Sequence, residues 1–264
     1  FAVAVTFGLW RQHAPAVASA EVARVEVVAR SVWSRSAGAA TPLGLGDRIA
    51  AGTELATEAG GRLALRLSGG HSVRLDEHTR LRLLSANLLA LDRGAVYLDS
   101  RGPQGTGAGG VEIRTPLGSV RDQGTQFEVR LLEGALLLRV REGRVSLARP
   151  DSHVELEAGH QLHLDTAGRI ERGVLPPDGA AWAWAGTIAP MMRLEGRTLR
   201  EFTAWVARER GLELRFAGPA AAEAAERIRL NGSIDGMTLE EALDSVLPTC
   251  RMSYRIEDAA LVIR

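Results

Sequence analysis

The sequence predicts a two-domain fold: a mainly β N-terminal domain, followed by a small α+β domain. From residue 21 to about residue 172, short segments alternate apolar and polar side chains, and glycine-containing turns separate them. This pattern is typical of short antiparallel strands, arranged either as a β-solenoid-like stack or as a wrapped sandwich. Later, Thr198 and Thr238 each open a Thr-Leu-x-Glu segment with apolar residues at helical spacing. These two capping boxes predict two helices in the second domain.

The composition is that of a soluble globular protein without a strong electrostatic field. The 264 residues include 32 basic and 32 acidic side chains, and 45% of the residues are apolar. Because the charges cancel, nucleic acid is not expected as a partner. All the basic side chains are arginines, and Cys250 is the single cysteine, so no internal disulfide can form.

Residues 1–20 are expected to be the end of a truncated membrane anchor or a linker. The first ten, FAVAVTFGLW, carry no charge. As a helix they would span about 15 Å, half of the roughly 30 Å hydrocarbon core of a membrane. A core-facing strand is the alternative, and we favour the anchor because Trp10 and Arg11 resemble a membrane boundary.

Residues 21–174 are predicted to form the all-β domain. The segment RLALRLSGGHSVRLD indicates a hairpin with one face of leucine and valine and the other of arginine. The phrase TPLG occurs at residues 41–44 and again at 115–118, an offset of 115 − 41 = 74 residues. Such recurrence fits either a solenoid or a sandwich with two similar turns.

Residues 175–190 are predicted to be a linker that docks through Trp182 and Trp184, and residues 191–264 a separate domain. The linker opens with Leu-Pro-Pro-Asp-Gly. The two capped helices start 238 − 198 = 40 residues apart. The strands expected around them are MRLEG, LELRFA, RIRLNGSI, RMSYRIE and ALVIR, in the order βαβ-βαββ.

Catalysis, a cofactor and a metal site are not expected. The sequence contains no phosphate-binding glycine loop, no nucleophile elbow and no histidine pair at chelating spacing. Glu155 and Glu157 share one face of a predicted strand, where a solvated edge is the better interpretation than acid–base chemistry. A hydrolase would require such a pair to converge in a cleft.

The most specific segment is TPLGSVRDQGTQFEVR, whose pattern predicts a turn, a short extended segment, a second turn and a strand. It resembles the signature of the FecR family of periplasmic regulators in Gram-negative bacteria. The resemblance extends from Val25 to Arg264 and includes REGRVSL and GRTLREFTAWVARERGLEL. The C-terminal domain resembles the small STN domain that closes many FecR-like proteins. The residues matching the family motif, to which we assign structural roles, are Thr115, Pro116, Gly118, Gly124, Thr125, Phe127 and Val129.

The resemblance implies the periplasmic part of a transmembrane regulator of the anti-sigma type, tethered to the inner membrane at its N-terminus. It implies binding to the signalling domain of an outer-membrane TonB-dependent transducer, as in iron-transport regulation. Contact with a sigma factor would require a cytoplasmic region absent from this sequence. The alternative is an envelope structural or glycan-binding module that is not coupled to a sigma factor.

The partner is expected to bind the C-terminal domain by adding a strand to an exposed sheet edge. The segments RIRLNGSI and ALVIR are the candidates for that edge. Helix faces or the tryptophan linker are the alternative surfaces. The candidate partner-binding residues are Arg229, Leu230, Asn231, Ile234, Leu261, Val262 and Ile263.

Overall fold

The computed structural model describes residues 20–36, 39–100 and 110–264. The expected anchor within residues 1–20 therefore lies almost entirely outside the described residues. The first domain is built from seventeen strands: β1 Glu21–Ala29, β2 Val32–Ser36, β3 Ala39–Pro42, β4 Arg48–Ala50, β5 Glu54–Thr57, β6 Arg62–Leu67, β7 Ser72–Leu75, β8 Arg80–Ser85, β9 Leu88–Asp99, β10 Glu112–Thr115, β11 Gly118–Asp122, β12 Gln126–Leu132, β13 Ala135–Glu142, β14 Arg144–Arg149, β15 Ser152–Glu157, β16 His160–Asp165 and β17 Ile170–Val174.

These strands form a wrapped sandwich, one of the two predicted arrangements. Sheet 1 has the order β4-β1-β6-β7-β9-β12-β13-β16-β17. Sheet 2 has the order β3-β2-β5-β8-β9-β10-β11-β14-β15. All pairs are antiparallel except β9–β10. Successive hairpins alternate between the sheets, so the chain winds around one core.

The long strand β9 belongs to both sheets and bends at Gly94. Its first half pairs with β8 and β10, and its second half pairs with β7 and β12. Gly94 has φ 83°, and a Cβ there would lie 2.4 Å from Thr79 Oγ1. A side chain would therefore be both strained and obstructed, and glycine allows the strand to cross from one sheet to the other.

Apolar side chains from both sheets fill the sandwich, as the alternation predicts. In the hairpin of β6 and β7, the leucine and valine face is fully buried and the register pairs Leu63 with Leu75. The arginines lie on the opposite face of sheet 1. The largest buried side chains of this core are Leu55, Leu63, Leu65, Leu67, Leu75, Leu81, Leu83 and Phe127.

The C-terminal region has a core of its own. A 3-10 turn, Ala180–Trp182, and the short helix α1 Ala183–Thr187 lead to α2 Leu199–Arg210, β18 Glu213–Phe216, α3 Pro219–Arg227, α4 Leu239–Thr249, β19 Tyr254–Glu257 and β20 Ala260–Ile263. Both predicted capping boxes are present, at the start of α2 and of α4. Strand order is β18-β20-β19, with β18 parallel and β19 antiparallel to β20.

Two predicted strands are absent and one helix was not predicted. MRLEG forms no strand, and RIRLNGSI contributes a single bridge between Arg229 and Thr198. Helix α3 occupies the alanine-rich segment after Pro219, where proline sits in the first turn and alanine has the highest helix propensity. The observed order is therefore α-β-α-α-β-β rather than βαβ-βαββ. No helix among the described residues is long and apolar enough to cross a membrane.

Candidate partner-binding site and domain junction

Four of the predicted partner-binding residues line one groove of the C-terminal domain. Arg229, Leu230, Asn231 and Ile234 lie in the segment between α3 and α4, beside a groove of about 500 Å³. Leu230 and Ile234 are buried in the domain core, whereas Arg229 and Asn231 are exposed. The structure thus brings these residues together and leaves the two polar ones accessible.

The groove has an apolar floor and a polar rim that carries positive charge. Leu194, Met237 and Val246 contribute apolar surface, and Ser245 and Arg251 stand at the rim. Arg229, which also lines the groove, donates a hydrogen bond from Nη1 to the carbonyl oxygen of Gly196, 3.0 Å away. Such a surface suits a protein segment with apolar and acidic side chains.

The other three predicted residues, Leu261, Val262 and Ile263, lie in the middle of the three-stranded sheet. Strand β20 is hydrogen-bonded to β18 on one side and to β19 on the other. All three side chains are buried. The expectation that ALVIR offers a free edge is therefore wrong, because the parallel pairing with β18 places the last strand centrally. RIRLNGSI, which forms one bridge only, offers no edge strand either.

The motif residues form a turn, a polar cluster and core positions. In the turn between β10 and β11, the Thr115 hydroxyl donates to the Gly118 carbonyl oxygen at 2.8 Å. Thr125 donates from its backbone nitrogen to Asp122 Oδ1 at 2.9 Å. Phe127 and Val129 are fully buried in the sandwich core.

The junction between the domains is a buried cluster of charges that the sequence reasoning missed. Arg74 of β7 donates from Nη1 and Nη2 to the two carboxylate oxygens of Glu209 in α2, each at 2.8 Å. Arg74 Nη1 also donates to the Ala185 carbonyl oxygen of the linker at 2.9 Å. The side chains of Arg74 and Glu209 are 2% and 4% exposed. Burial lowers the pKa of Arg74, but the Glu209 carboxylate outweighs burial and leaves this pKa raised.

A second ion pair crosses the junction, and here the arginine belongs to the C-terminal domain and the carboxylate to the β domain. Arg208 of α2 binds Asp99 at the end of β9 and Glu142 at the end of β13. Gln126 also donates to Asp99 Oδ2, at 3.0 Å. Burial raises the pKa of Asp99, yet the hydrogen bonds from Arg208 and Gln126 keep this pKa below its usual value. Asp99 is therefore ionised in the folded protein at neutral pH.

Arg141 of β13 forms hydrogen bonds with both the linker and the end of α2. Its Nε donates to the Pro177 carbonyl oxygen at 2.6 Å, and its Nη1 donates to the Glu209 carbonyl oxygen at 3.0 Å. The guanidinium lies 5.4 Å from the ring centroid of Trp182. Trp182 packs edge-to-face on Tyr97, and burial raises the pKa of Tyr97 to about 12.

The acidic pair Glu155 and Glu157 and the possible metal ligands were compared with the geometry that catalysis or metal binding requires. Glu155 and Glu157 are exposed on β15, and both pair with Arg144 rather than converging in a cleft. Across residues 20–36, 39–100 and 110–264, no group of three or more histidine, cysteine, aspartate or glutamate residues is arranged to hold a metal ion.

Comparison with known proteins identifies one part of the chain. The family model described as FecR protein matches residues 53–146. No curated protein matches the sequence. Two crystal structures of a candidate anti-sigma factor from Parabacteroides distasonis ATCC 8503, at 2.50 and 1.65 Å resolution, are similar to this chain. Each has 18% identity and a TM-score of 0.43 and covers 80% of this chain, and the matches cover 97% and 98% of those chains. The match at residues 53–146 includes the whole TPLGSVRDQGTQFEVR motif, so this stretch of the chain matches the FecR domain.

Proposed function

We propose that this chain is the periplasmic part of a transmembrane sigma-factor regulator of the anti-sigma type. In this role it relays a signal from an outer-membrane TonB-dependent transducer by protein–protein binding. The observation that carries the proposal is the FecR domain over residues 53–146. The signalling domain of the transducer is the proposed partner, and the inner membrane is the proposed site of tethering.

The proposed binding surface is the groove beside Arg229, Asn231 and Arg251. Its apolar floor supplies hydrophobic area, and its exposed arginines favour a partner segment that carries carboxylates. The groove is formed by side chains and a loop, so this recognition does not require a free strand edge.

Calorimetry with a purified transducer signalling domain from the same genome tests this proposal. Arg251→Glu reverses a charge at the groove, and we expect it to weaken binding at least tenfold. Arg255→Glu is the matched control, because Arg255 is exposed on β19 and outside the residues that line the groove. Absence of binding by the unaltered chain would refute the partner, and equal affinities of the two variants would refute the groove.

A further inference from the structure

The two domains have separate hydrophobic cores and meet through charged groups. One core lies within the sandwich, and the other lies among α2, α3, α4 and the small sheet. A third, small apolar cluster joins Tyr97 of β9 to Trp182 and Ala185 of the linker. Domains with their own cores retain their folds when their interface opens.

The charged contacts across the junction are specific in geometry, while Nε of Arg74 is buried without a hydrogen-bond partner among the described residues. Arg74 reaches Glu209 with two parallel hydrogen bonds, and Arg208 reaches Asp99 in the reverse direction. Each domain therefore contributes one arginine and one buried carboxylate; Arg74 is buried, and Arg208 is partly buried, with 21% of its side chain exposed. Removing one partner of such a pair leaves a buried charge without compensation, which strongly favours exposure of that charge to water.

The junction also has an accessible side. A cavity of about 700 Å³ lies between the linker, the end of α2 and the start of α4, and Arg141, Glu209 and Trp182 line it. Met237 lines both this cavity and the groove of the C-terminal domain. The charged groups of the junction are thus close to a solvent-filled space and to the segment that borders the groove.

We propose that the junction is a releasable lock: the ion pairs Arg74–Glu209 and Arg208–Asp99 hold the two domains together, and loss of one pair lets them separate as folded bodies. The first five residues of the linker, 175–179, supply the pivot, because they form neither helix nor strand. The carbonyl oxygens of Pro176 and Pro177 accept hydrogen bonds from Trp182 and Arg141. The lock stands on the junction alone and does not depend on which partner binds the groove.

Chymotrypsin cleavage of the full chain provides the test. Trp182 is buried in the closed junction, so cleavage at Trp182 and Trp184 reports opening. The variants are Arg74→Glu, Glu209→Arg and the double swap that exchanges the two charges. Arg144→Glu, which alters an exposed pair on β14, is the matched control.

We expect each single swap to accelerate cleavage in the linker at least tenfold, while circular dichroism shows that both domains remain folded. The double swap is expected to return the rate to within about threefold of the unaltered chain. Cleavage of the single variants no faster than that of the control would overturn the lock. Loss of both folds in one transition would also overturn it, because the domains would then form a single cooperative unit.

Discussion

Gly211 is the residue at which a single added methyl group should disrupt the domain junction. It caps the C-terminal end of α2 in the left-handed conformation, with φ 67°. A Cβ built on Gly211 would lie 1.9 Å from the Pro177 carbonyl oxygen and 2.5 Å from Arg141 Nε. Both atoms belong to the contact by which the β domain holds the linker. Gly211→Ala therefore forces either α2 or the linker to move.

The expected magnitude has two contributions. A left-handed alanine costs about 1–2 kcal/mol of stability relative to glycine. Because the backbone oxygen of Pro177 must be displaced, the 2.6 Å hydrogen bond from Arg141 is also lost. A hydrogen bond to a charged group contributes about 1.5–3 kcal/mol. Gly211→Ala is thus expected to destabilise the chain by roughly 2.5–5 kcal/mol.

Gly196→Ala is the matched control in the same domain. Gly196 has φ 75°, and no atom lies within 4 Å of the position its Cβ would take. Its expected cost is the conformational contribution alone, about 1–2 kcal/mol. Urea unfolding followed by tryptophan fluorescence measures both values. Equal losses in the two variants would refute the assignment of Gly211 to the junction, and the expected extra loss should come with faster cleavage of the linker.

Two further predictions concern the sandwich and the response to acid. Gly94→Ala should lower the free energy of unfolding by about 1–3 kcal/mol more than Gly46→Ala does, as measured by urea unfolding followed by circular dichroism. Both glycines have φ near 84°, but only at Gly94 would the added Cβ clash with Thr79. Equal losses of stability in the two variants would contradict the role of Gly94 in β9. Asp99 has a lowered pKa, so its contribution to stability is present above about pH 4 and is lost as the pH falls through the folded-state pKa. Asp99→Asn should therefore reduce the dependence of the unfolding free energy on pH as the pH falls below about 4, and an unchanged dependence would contradict this.

The features that the sequence predicted correctly are local ones. The hairpin of β6 and β7 follows from alternating side chains on either side of two glycines, and each helix start follows from a threonine and a glutamate three residues apart. Each of these patterns is satisfied by neighbours in the chain, so the sequence contains all the information it requires.

Sheet order was not predictable in the same way. The segment ALVIR reads equally well as an edge or a central strand, because a four-residue apolar run carries no information about its neighbours. Its place between β18 and β19 depends on a parallel pairing with a segment more than forty residues away. Arg229 and Asn231 line the groove, but their role in partner binding stays a prediction, and the segment RIRLNGSI does not form the edge strand that was expected.

The sequence analysis did not predict the domain junction, because the residues next to a charged side chain do not show whether that side chain is buried. In the hairpin sequence, Arg62, Arg66 and Arg74 share the same alternating face, yet only Arg74 is fully buried. Its partner, Glu209, follows 135 residues later in an amphipathic helix. In the sequence, an arginine that faces solvent and an arginine that is buried in an ion pair give the same alternating pattern. Only the position of the second domain against the sheet distinguishes them.

The absence of lysine from the sequence has a consequence at this junction. Arg74 binds both oxygens of Glu209 while its guanidinium carbon lies 5.2 Å from the centroid of the Tyr97 ring. Arg141 likewise donates in two directions while it stacks near Trp182. A planar fork of donors with a weakly hydrated face can do both at once, whereas an ammonium group acts as a compact, strongly hydrated point charge. At these positions the arginine side chain is therefore used for buried contacts that lysine could not reproduce.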